Sequence, residues 1–123
     1  MAAASMGSPA LALKYLLAKE NWYNDTLLAN TLREPLLVLC AYYLLLEKRA
    51  RGTAADSVAH FHLNNGARIE KLNWLADLSI RGLKQSNGIM LNYLYDIKTI
   101  DQNHESYRAG EPIIASAVVR NLL

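Results

Sequence analysis

The sequence has little cysteine, no long apolar run and little excess of charge, and each shortage excludes a class of protein. Cys40 is the single cysteine of 123 residues, so neither an internal disulfide nor a cysteine metal cluster is possible within the chain. It lies in an apolar run, which predicts a buried, inert thiol in a reducing compartment, here the cytoplasm. The longest apolar run, residues 36–46, is shorter than the ~20 residues that a transmembrane helix needs, so we expect no membrane partner.

The charge balance also argues against a nucleic-acid partner. The formal net charge is only +2, and the basic residues are scattered instead of forming a stripe. Hydrophobic residues make up 52% and charged residues 20%, which excludes a disordered chain and predicts a single domain with a real core. Residues 1–8 lack the charged start and apolar centre of a secretory signal, and we interpret them as a leader or an expression remnant.

Residues 9–50 are predicted to form a helical segment. Ser8 and Pro9 are typical of an N-cap followed by the first helical position. Asn24 or Asp25 is expected to cap a second helix. Pro35 is expected to start a third helix that ends near residues 48–49, and its nearly continuous apolar surface predicts a central buried helix.

Residues 51–123 alternate between strand and helix patterns. The period-two pattern of residues 57–63 predicts a strand with His60 and His62 on one face, and residues 89–95 predict a second strand. Residues 69–76 favour helix or irregular structure, 82–88 a loop, 97–107 a helix capped by Asp96, and residues from Pro112 a last helix. Because two short strands do not make a stable sheet alone, we expect an α+β fold, mostly helical, that is incomplete on its own.

His62 and Tyr95 are the side chains most suited to chemistry. An imidazole titrates near neutral pH and can pass a proton if a carboxylate orients it, and a neutral phenol can donate a hydrogen bond to developing negative charge. The structural alternatives stay open, because a histidine in an apolar segment is often a satisfied core residue, and so is a tyrosine such as Tyr93. His60 and His62 have no Cys, Asp or Glu at ligand spacing nearby, so we expect no metal site.

Several runs, in order, resemble the C-terminal part of malonyl-CoA decarboxylase, closest to the bacterial form. The strongest is residues 58–67, Val-Ala-His-Phe-His-Leu-Asn-Asn-Gly-Ala. The others are residues 35–36, 39–44, 73–77 (Asn-Trp-Leu-Ala-Asp), 91–95 (Leu-Asn-Tyr-Leu-Tyr), 105–107 and 115–116. The similarity extends from about residue 32 to the C-terminus.

This resemblance implies the C-terminal part of a catalytic domain with an acetyltransferase-like (GNAT) fold, preceded in the family by a helical domain used in self-association. It implies conversion of malonyl-CoA to acetyl-CoA and CO2 without a metal or organic cofactor, CoA being part of the substrate. By the same resemblance, His62 and Tyr95 belong to the active site, while a serine, a glutamate and the loop that holds the CoA pyrophosphate lie in earlier segments. The CoA-binding residues are therefore unknown in this chain, which is expected to be inactive alone and to form a homo-oligomer.

Two other interpretations compete with this one. The chain is alternatively an inactive truncated or split remnant that acts as a helical interaction module, which predicts no malonyl-CoA turnover under any condition. A third interpretation is an acyltransferase-like CoA binder with another reaction, which requires a phosphate-cradling loop that this sequence does not contain.

Overall fold

A computed structural model describes residues 8–49 and 51–123. The chain divides between Leu36 and Leu37 into two compact units, and the leader predicted at its start lies, apart from Ser8, outside the described residues. No helix in the described part is long and apolar enough to cross a membrane. The elements are α1 (Pro9–Leu17), a 3₁₀ turn (Trp22–Asn24), α2 (Thr26–Leu45), α3 (Ser57–Asn64), β1 (Arg68–Asn73), α4 (Ile80–Ser86), β2 (Met90–Leu94), α5 (Ile100–Arg108) and α6 (Ala117–Arg120).

The first unit has the helix starts that the sequence predicts. The Ser8 hydroxyl accepts a hydrogen bond from the Leu11 N–H at the start of α1, and Pro9 is the first helical residue. Asp25 caps α2, its carboxylate accepting from the Leu28 N–H at 3.2 Å. Both caps satisfy backbone donors that a helix start leaves unpaired, so these boundaries are confirmed.

Helix α2 differs from the prediction in two ways. It is one helix of 20 residues with Pro35 inside it, whereas the sequence suggested that Pro35 starts a separate helix. It is also not buried on every side, because Leu39 within the helix is 51% exposed and Leu46, just after its end, is 52% exposed. Proline lacks one helical hydrogen bond, but burial of Leu32 and Leu36 on either side of it favours a continuous helix.

The predicted strand at residues 57–63 is wrong, because these residues form helix α3. The Asp56 carboxylate caps this helix by accepting from the Ala59 N–H at 2.9 Å. Ala59 and Leu63, four residues apart, are both buried, which is the helical period. The alternation around Phe61 is therefore incidental, since Phe61 itself is 61% exposed.

The sheet of the described residues consists of β1 and β2, which pair antiparallel with Ile69 opposite Tyr93. The strand predicted at residues 89–95 is confirmed as β2, but residues 69–76, expected to be helical or irregular, begin with strand β1. The loop expected at residues 82–88 is mostly helix α4, whose start is capped by Ser79. The prediction for residues 69–76 failed because β1 is irregular: the strand pairing shifts between Ile69 and Lys71, and this breaks a period-two pattern.

The C-terminal segment packs on β1. The Ile69 N–H donates to the Ile114 carbonyl and the Ser116 N–H donates to the Ile69 carbonyl, so this segment pairs beside the sheet. Helix α5 begins at Ile100, three residues later than predicted, and the last helix begins after Ser116 instead of at Pro112 because residues 113–115 are extended. The core of the second unit comprises Ala41, Leu44, Leu45, Ala54, Ala59, Leu63, Ile69, Tyr107, Ile113, Ala115 and Val119. A mostly helical fold with one two-stranded sheet is thus confirmed.

Candidate active site

The structure brings together the two side chains that the sequence singles out. His62 lies in the last turn of α3, and Tyr95 immediately follows β2. The His62 Nδ1 atom and the Tyr95 hydroxyl are 2.5 Å apart, a short hydrogen bond between residues 33 positions apart in sequence. Tyr95 is 42% exposed and His62 is half-buried, so the pair is accessible from outside the chain.

Tyr93 supplies a second contact to the same imidazole. Its ring stacks on that of His62 with centroids 4.1 Å apart and planes 25° from parallel. Tyr93 and Tyr95 are two positions apart on an extended segment, so both side chains reach His62 from one face, as the sequence predicts. Two contacts of different kinds, one on the ring face and one at Nδ1, restrict both tilt and rotation of the imidazole.

The Tyr93 hydroxyl is a buried polar atom with no hydrogen-bond partner among the described residues. Burial raises the pKa of Tyr93 well above its usual value, and the negative charge of Asp56 raises it further. Tyr93 therefore remains a neutral phenol at any ordinary pH, and we assign to it a positioning role by stacking instead of proton transfer. The sequence pattern favours a core role for Tyr93 and contains no signal for its stacking on His62.

The Cys40 thiol lies in the same unit and is also kept neutral. Burial raises the pKa of Cys40 from 9.0 to about 11, and the charge of Asp56 adds to the effect. Because the thiolate is the nucleophilic form, this thiol is unreactive at neutral pH. The side chain is half-buried rather than buried as the sequence predicts, and its inertness stays a prediction that the raised pKa supports.

His60 does not share a face with His62, which corrects the strand-based prediction. Two positions along a helix turn a side chain by about 200°, so the rings point in different directions. The His60 Nδ1 atom lies 2.6 Å from the hydroxyl of Tyr107, on α5. The His-x-His pair therefore does not converge on one point, as a shared metal ion would require.

Two further contacts were not foreseen from the sequence. The Tyr107 hydroxyl also accepts the buried N–H of Ala54 at 2.9 Å. His104, expected to be solvated, is half-buried, and its Nδ1 atom contacts the Asn64 carbonyl. These partners are 40 or more residues apart in sequence, so only the folded chain reveals them.

The His62–Tyr95 pair has two chemically distinct arrangements. When His62 is neutral with its proton on Nε2, the Tyr95 hydroxyl donates to Nδ1 and has no proton left for another acceptor. When His62 is protonated, the Nδ1–H donates to the Tyr95 oxygen, and the phenol proton is free to donate elsewhere. A phenol, rather than the carboxylate that the sequence suggested, is thus the hydrogen-bonding partner of His62 in the described residues.

Comparison with known proteins places this chain in a family. The family model of the malonyl-CoA decarboxylase C-terminal domain matches residues 4–123. The chain is 43% identical over 112 residues to the mitochondrial malonyl-CoA decarboxylase of Rattus norvegicus and 42% identical over 107 residues to that of Anser anser anser. These matches cover 91% and 87% of this chain.

Solved structures agree with these sequence matches. The crystal structure of malonyl-CoA decarboxylase from Rhodopseudomonas palustris is 43% identical and superposes with a TM-score of 0.83 over 88% of this chain. The enzyme from Agrobacterium vitis is 38% identical, with a TM-score of 0.86 over 94% of this chain. The chain spans only 25% and 28% of these two structures, and 23% of the rat relative. The chain therefore belongs to the malonyl-CoA decarboxylase family and corresponds to the C-terminal domain of its members.

Proposed function

We propose that this chain is the C-terminal segment of a malonyl-CoA decarboxylase, which converts malonyl-CoA to acetyl-CoA and CO2. The carrying observation is the 2.5 Å contact between His62 and Tyr95 in a segment that matches this family. Both residues lie in runs that resemble this family, and they meet although they come from different parts of the chain. The proposal assigns them to the catalytic site and assigns the remaining site residues to the part of the enzyme outside this segment.

The proposed reaction breaks the bond between the malonyl carboxylate and the α-carbon. The bonding electrons pass into the thioester, which becomes an enolate, and the carboxylate leaves as CO2. Protonated His62 gives its Nε2 proton to the α-carbon, which completes acetyl-CoA and leaves a neutral imidazole. While His62 is protonated, its Nδ1–H occupies the Tyr95 oxygen, so Tyr95 can donate its own proton in a hydrogen bond to the enolate oxygen.

This cycle couples the two residues through a single hydrogen bond. Once His62 has lost its proton, the Tyr95 hydroxyl can turn back to Nδ1, which favours release of the neutral thioester product. His62 then takes up a proton from water, which restores the protonated imidazole for the next turnover. The stacked ring of Tyr93 keeps the imidazole plane fixed during both states. No step requires a metal or an organic cofactor, and a chelator such as EDTA is expected to leave the rate unchanged.

The proposal is tested by joining this chain to the preceding part of the Rhodopseudomonas palustris enzyme. Conversion of malonyl-CoA to acetyl-CoA is then followed in the chimera, with the unmodified bacterial enzyme as a positive control. The account predicts turnover by the chimera and none by the 123-residue chain alone. A folded chimera, shown by cooperative melting, that leaves malonyl-CoA unchanged contradicts the proposed function.

The complete domain is proposed to have an acetyltransferase-like fold, in which β1 and β2 form part of a larger sheet. The short two-stranded sheet and the exposed side chains of Met90 and Leu94 on β2 support a further layer of protein there. A crystal structure of the complete protein tests this. A sheet that ends at β1 and β2 in that structure argues against the fold proposal.

The homo-oligomer proposal follows from the family resemblance, and the location proposal follows from the single cysteine of the chain. We propose a homo-oligomer, tested by light scattering on the complete protein, and a cytoplasmic location, tested by cell fractionation. The rat and goose relatives are named as mitochondrial proteins, so recovery in a mitochondrial fraction is the outcome that contradicts the second proposal.

The interaction-module alternative has one observation in its favour. Tyr42 and Tyr43 near the end of α2 and Leu46 beyond it are 49%, 43% and 52% exposed, an apolar surface typical of a protein contact. Both functions account for that surface, because the remainder of an enzyme covers it as well as a separate partner does. Turnover by the chimera separates the two, since an inactive remnant gives none.

A further inference from the structure

A polar cleft of about 300 Å³ lies in the second unit, on a different side of α3 from the His62–Tyr95 pair. It is bordered by the turn that precedes α3, by α3 itself and by the end of α5. None of the described residues that line it is acidic, and two are arginines. The lining residues are Arg51, Gly52, Thr53, His60, Asn64, Tyr107, Arg108 and Gly110.

The two guanidinium groups carry positive charge that the described chain does not neutralise. Within residues 8–49 and 51–123, Arg68 and Glu70 form an ion pair. Neither Arg51 nor Arg108 forms an ion pair or a side-chain hydrogen bond with any of these residues. Both arginines are exposed, so they are hydrated and free to turn towards a ligand. Two cations without a counter-ion at one concave site favour an anionic ligand.

His60 is a third group at the cleft that is able to donate a hydrogen bond. The Tyr107 hydroxyl accepts the Ala54 N–H and keeps its own proton, which it is able to donate to the His60 Nδ1 atom 2.6 Å away. With Nδ1 acting as an acceptor, neutral His60 carries its proton on Nε2. In that tautomer, and also when it is protonated, His60 carries an N–H on the ring atom that Tyr107 does not use.

Three carbonyls in the last turn of α5, beside the cleft, already accept backbone N–H groups. At the end of α5 the carbonyls of residues 105–107 accept the N–H groups of Ala109, Glu111 and Gly110. A helix C-terminus would otherwise direct partial negative charge at an anion. Gly110 and Gly52, at φ +77° and +80°, complete turns at the rim, and a Cβ at either position would meet nothing within 4 Å, so the opening is unobstructed.

From these observations we propose that the cleft binds a phosphate group. Guanidinium groups pair with phosphate through two parallel hydrogen bonds, and a tetrahedral anion has enough oxygens to engage both arginines and the His60 N–H together. The hydroxyl of Thr53 and the amide of Asn64 are further donors at the wall. The cleft volume is at the lower end for ligand sites, which suits a phosphate or a sugar phosphate better than a whole nucleotide.

The proposal is tested by titrating the chain with inorganic phosphate and following its backbone amide resonances by NMR. We expect saturable shifts at Thr53 and Gly110, with a Kd on the order of 1 mM because the site is open to water. Arg108→Gln and, separately, Arg51→Gln should weaken binding by about tenfold, the equivalent of one charge-assisted contact. The matched control is Arg81→Gln, an exposed arginine on α4 outside the cleft, which should change the Kd by less than about twofold.

Two results would overturn the proposal. One is an equal change in Kd for Arg108→Gln and Arg81→Gln, and the other is a set of resonance shifts that spread over the surface without saturating. Each indicates only general attraction of phosphate to a basic protein. The source of the phosphate is then resolved by comparing CoA with 3′-dephospho-CoA, an arm that rests on the proposed function. A preference for CoA that Arg108→Gln abolishes identifies the substrate's 3′-phosphate. Equal binding of the two CoA forms, with phosphate still bound, identifies a separate phosphorylated ligand and supports the same site even if decarboxylation is disproved.

Discussion

Tyr93 and Tyr107, two tyrosines of the second unit, should respond in opposite ways to loss of the hydroxyl. The Tyr93 hydroxyl is buried with no partner among the described residues, so Tyr93→Phe removes a desolvated polar atom and keeps the ring. The Tyr107 hydroxyl pairs with His60 and accepts the N–H of Ala54, a residue with no exposed surface. Tyr107→Phe therefore leaves a buried backbone donor unsatisfied.

The magnitudes follow from the hydrogen bonds involved. A buried donor without a partner costs ~2 kcal/mol, which is the destabilisation expected for Tyr107→Phe. Relief of the unpaired Tyr93 hydroxyl should raise the free energy of unfolding by ~1 kcal/mol. For a chain of this size these changes correspond to a Tm lowered by about 8 °C and raised by about 4 °C.

Thermal and urea unfolding of the two variants and the wild type, followed by circular dichroism, measures both changes. Because the substitution is the same, differences in side-chain hydrophobicity largely cancel, and the sign reports the hydrogen bonding. A destabilisation of Tyr93→Phe as large as that of Tyr107→Phe would refute the reasoning. It would mean that the Tyr93 hydroxyl has a partner in the folded protein.

Three further predictions concern the same unit. Gly66→Ala should destabilise the chain by ~3 kcal/mol in urea unfolding, because Gly66 has φ +91° and a Cβ there would lie 2.5 Å from the Ile100 carbonyl oxygen. The matched control is Gly52→Ala, which has a similar φ of +80° but open space around the Cβ, and it should cost only ~1 kcal/mol. Alkylation of Cys40 by iodoacetamide should titrate with a midpoint near pH 11 in the folded chain and near the ordinary thiol pKa, ~8.5, in urea; one common midpoint would disprove burial of the thiol. Since folding favours the protonated thiol, this group should lower stability as pH rises from about 9 to about 11, and it should have no effect below that range.

The sequence predicted two helix starts, those of α1 and α2, and one of the two strands, β2. Ser8 and Asp25 are local signals whose hydrogen bonds span only three residues, and both cap a helix in the structure. The strand prediction for residues 57–63 is wrong because His-Phe-His alternates polar and apolar side chains over a short window, which imitates the pattern of a strand. The deciding features, the Asp56 cap and the burial of Ala59 with Leu63, had the helical spacing all along.

For the candidate site too, some features could be predicted from the sequence and others could not. His62 and Tyr95 were selected from runs that resemble one family, and the structure joins them although the elements assigned to them were only half correct. The Tyr107 contacts depend on how α5 packs against α3, which no local pattern encodes. Only the fold, therefore, separates the two histidines and gives each a different neighbour.

The most direct test of the central claim is the decarboxylation rate of the chimera carrying His62→Asn. The control is His104→Asn, a half-buried histidine on α5 whose contact with the Asn64 carbonyl an asparagine amide can keep. The account predicts that His62→Asn lowers kcat by about 100-fold or more, that Tyr95→Phe lowers it less and retains CoA binding, and that His104→Asn leaves it within about twofold. A folded His62→Asn chimera that turns over malonyl-CoA at the rate of the control would contradict the assignment of His62 to the catalytic site.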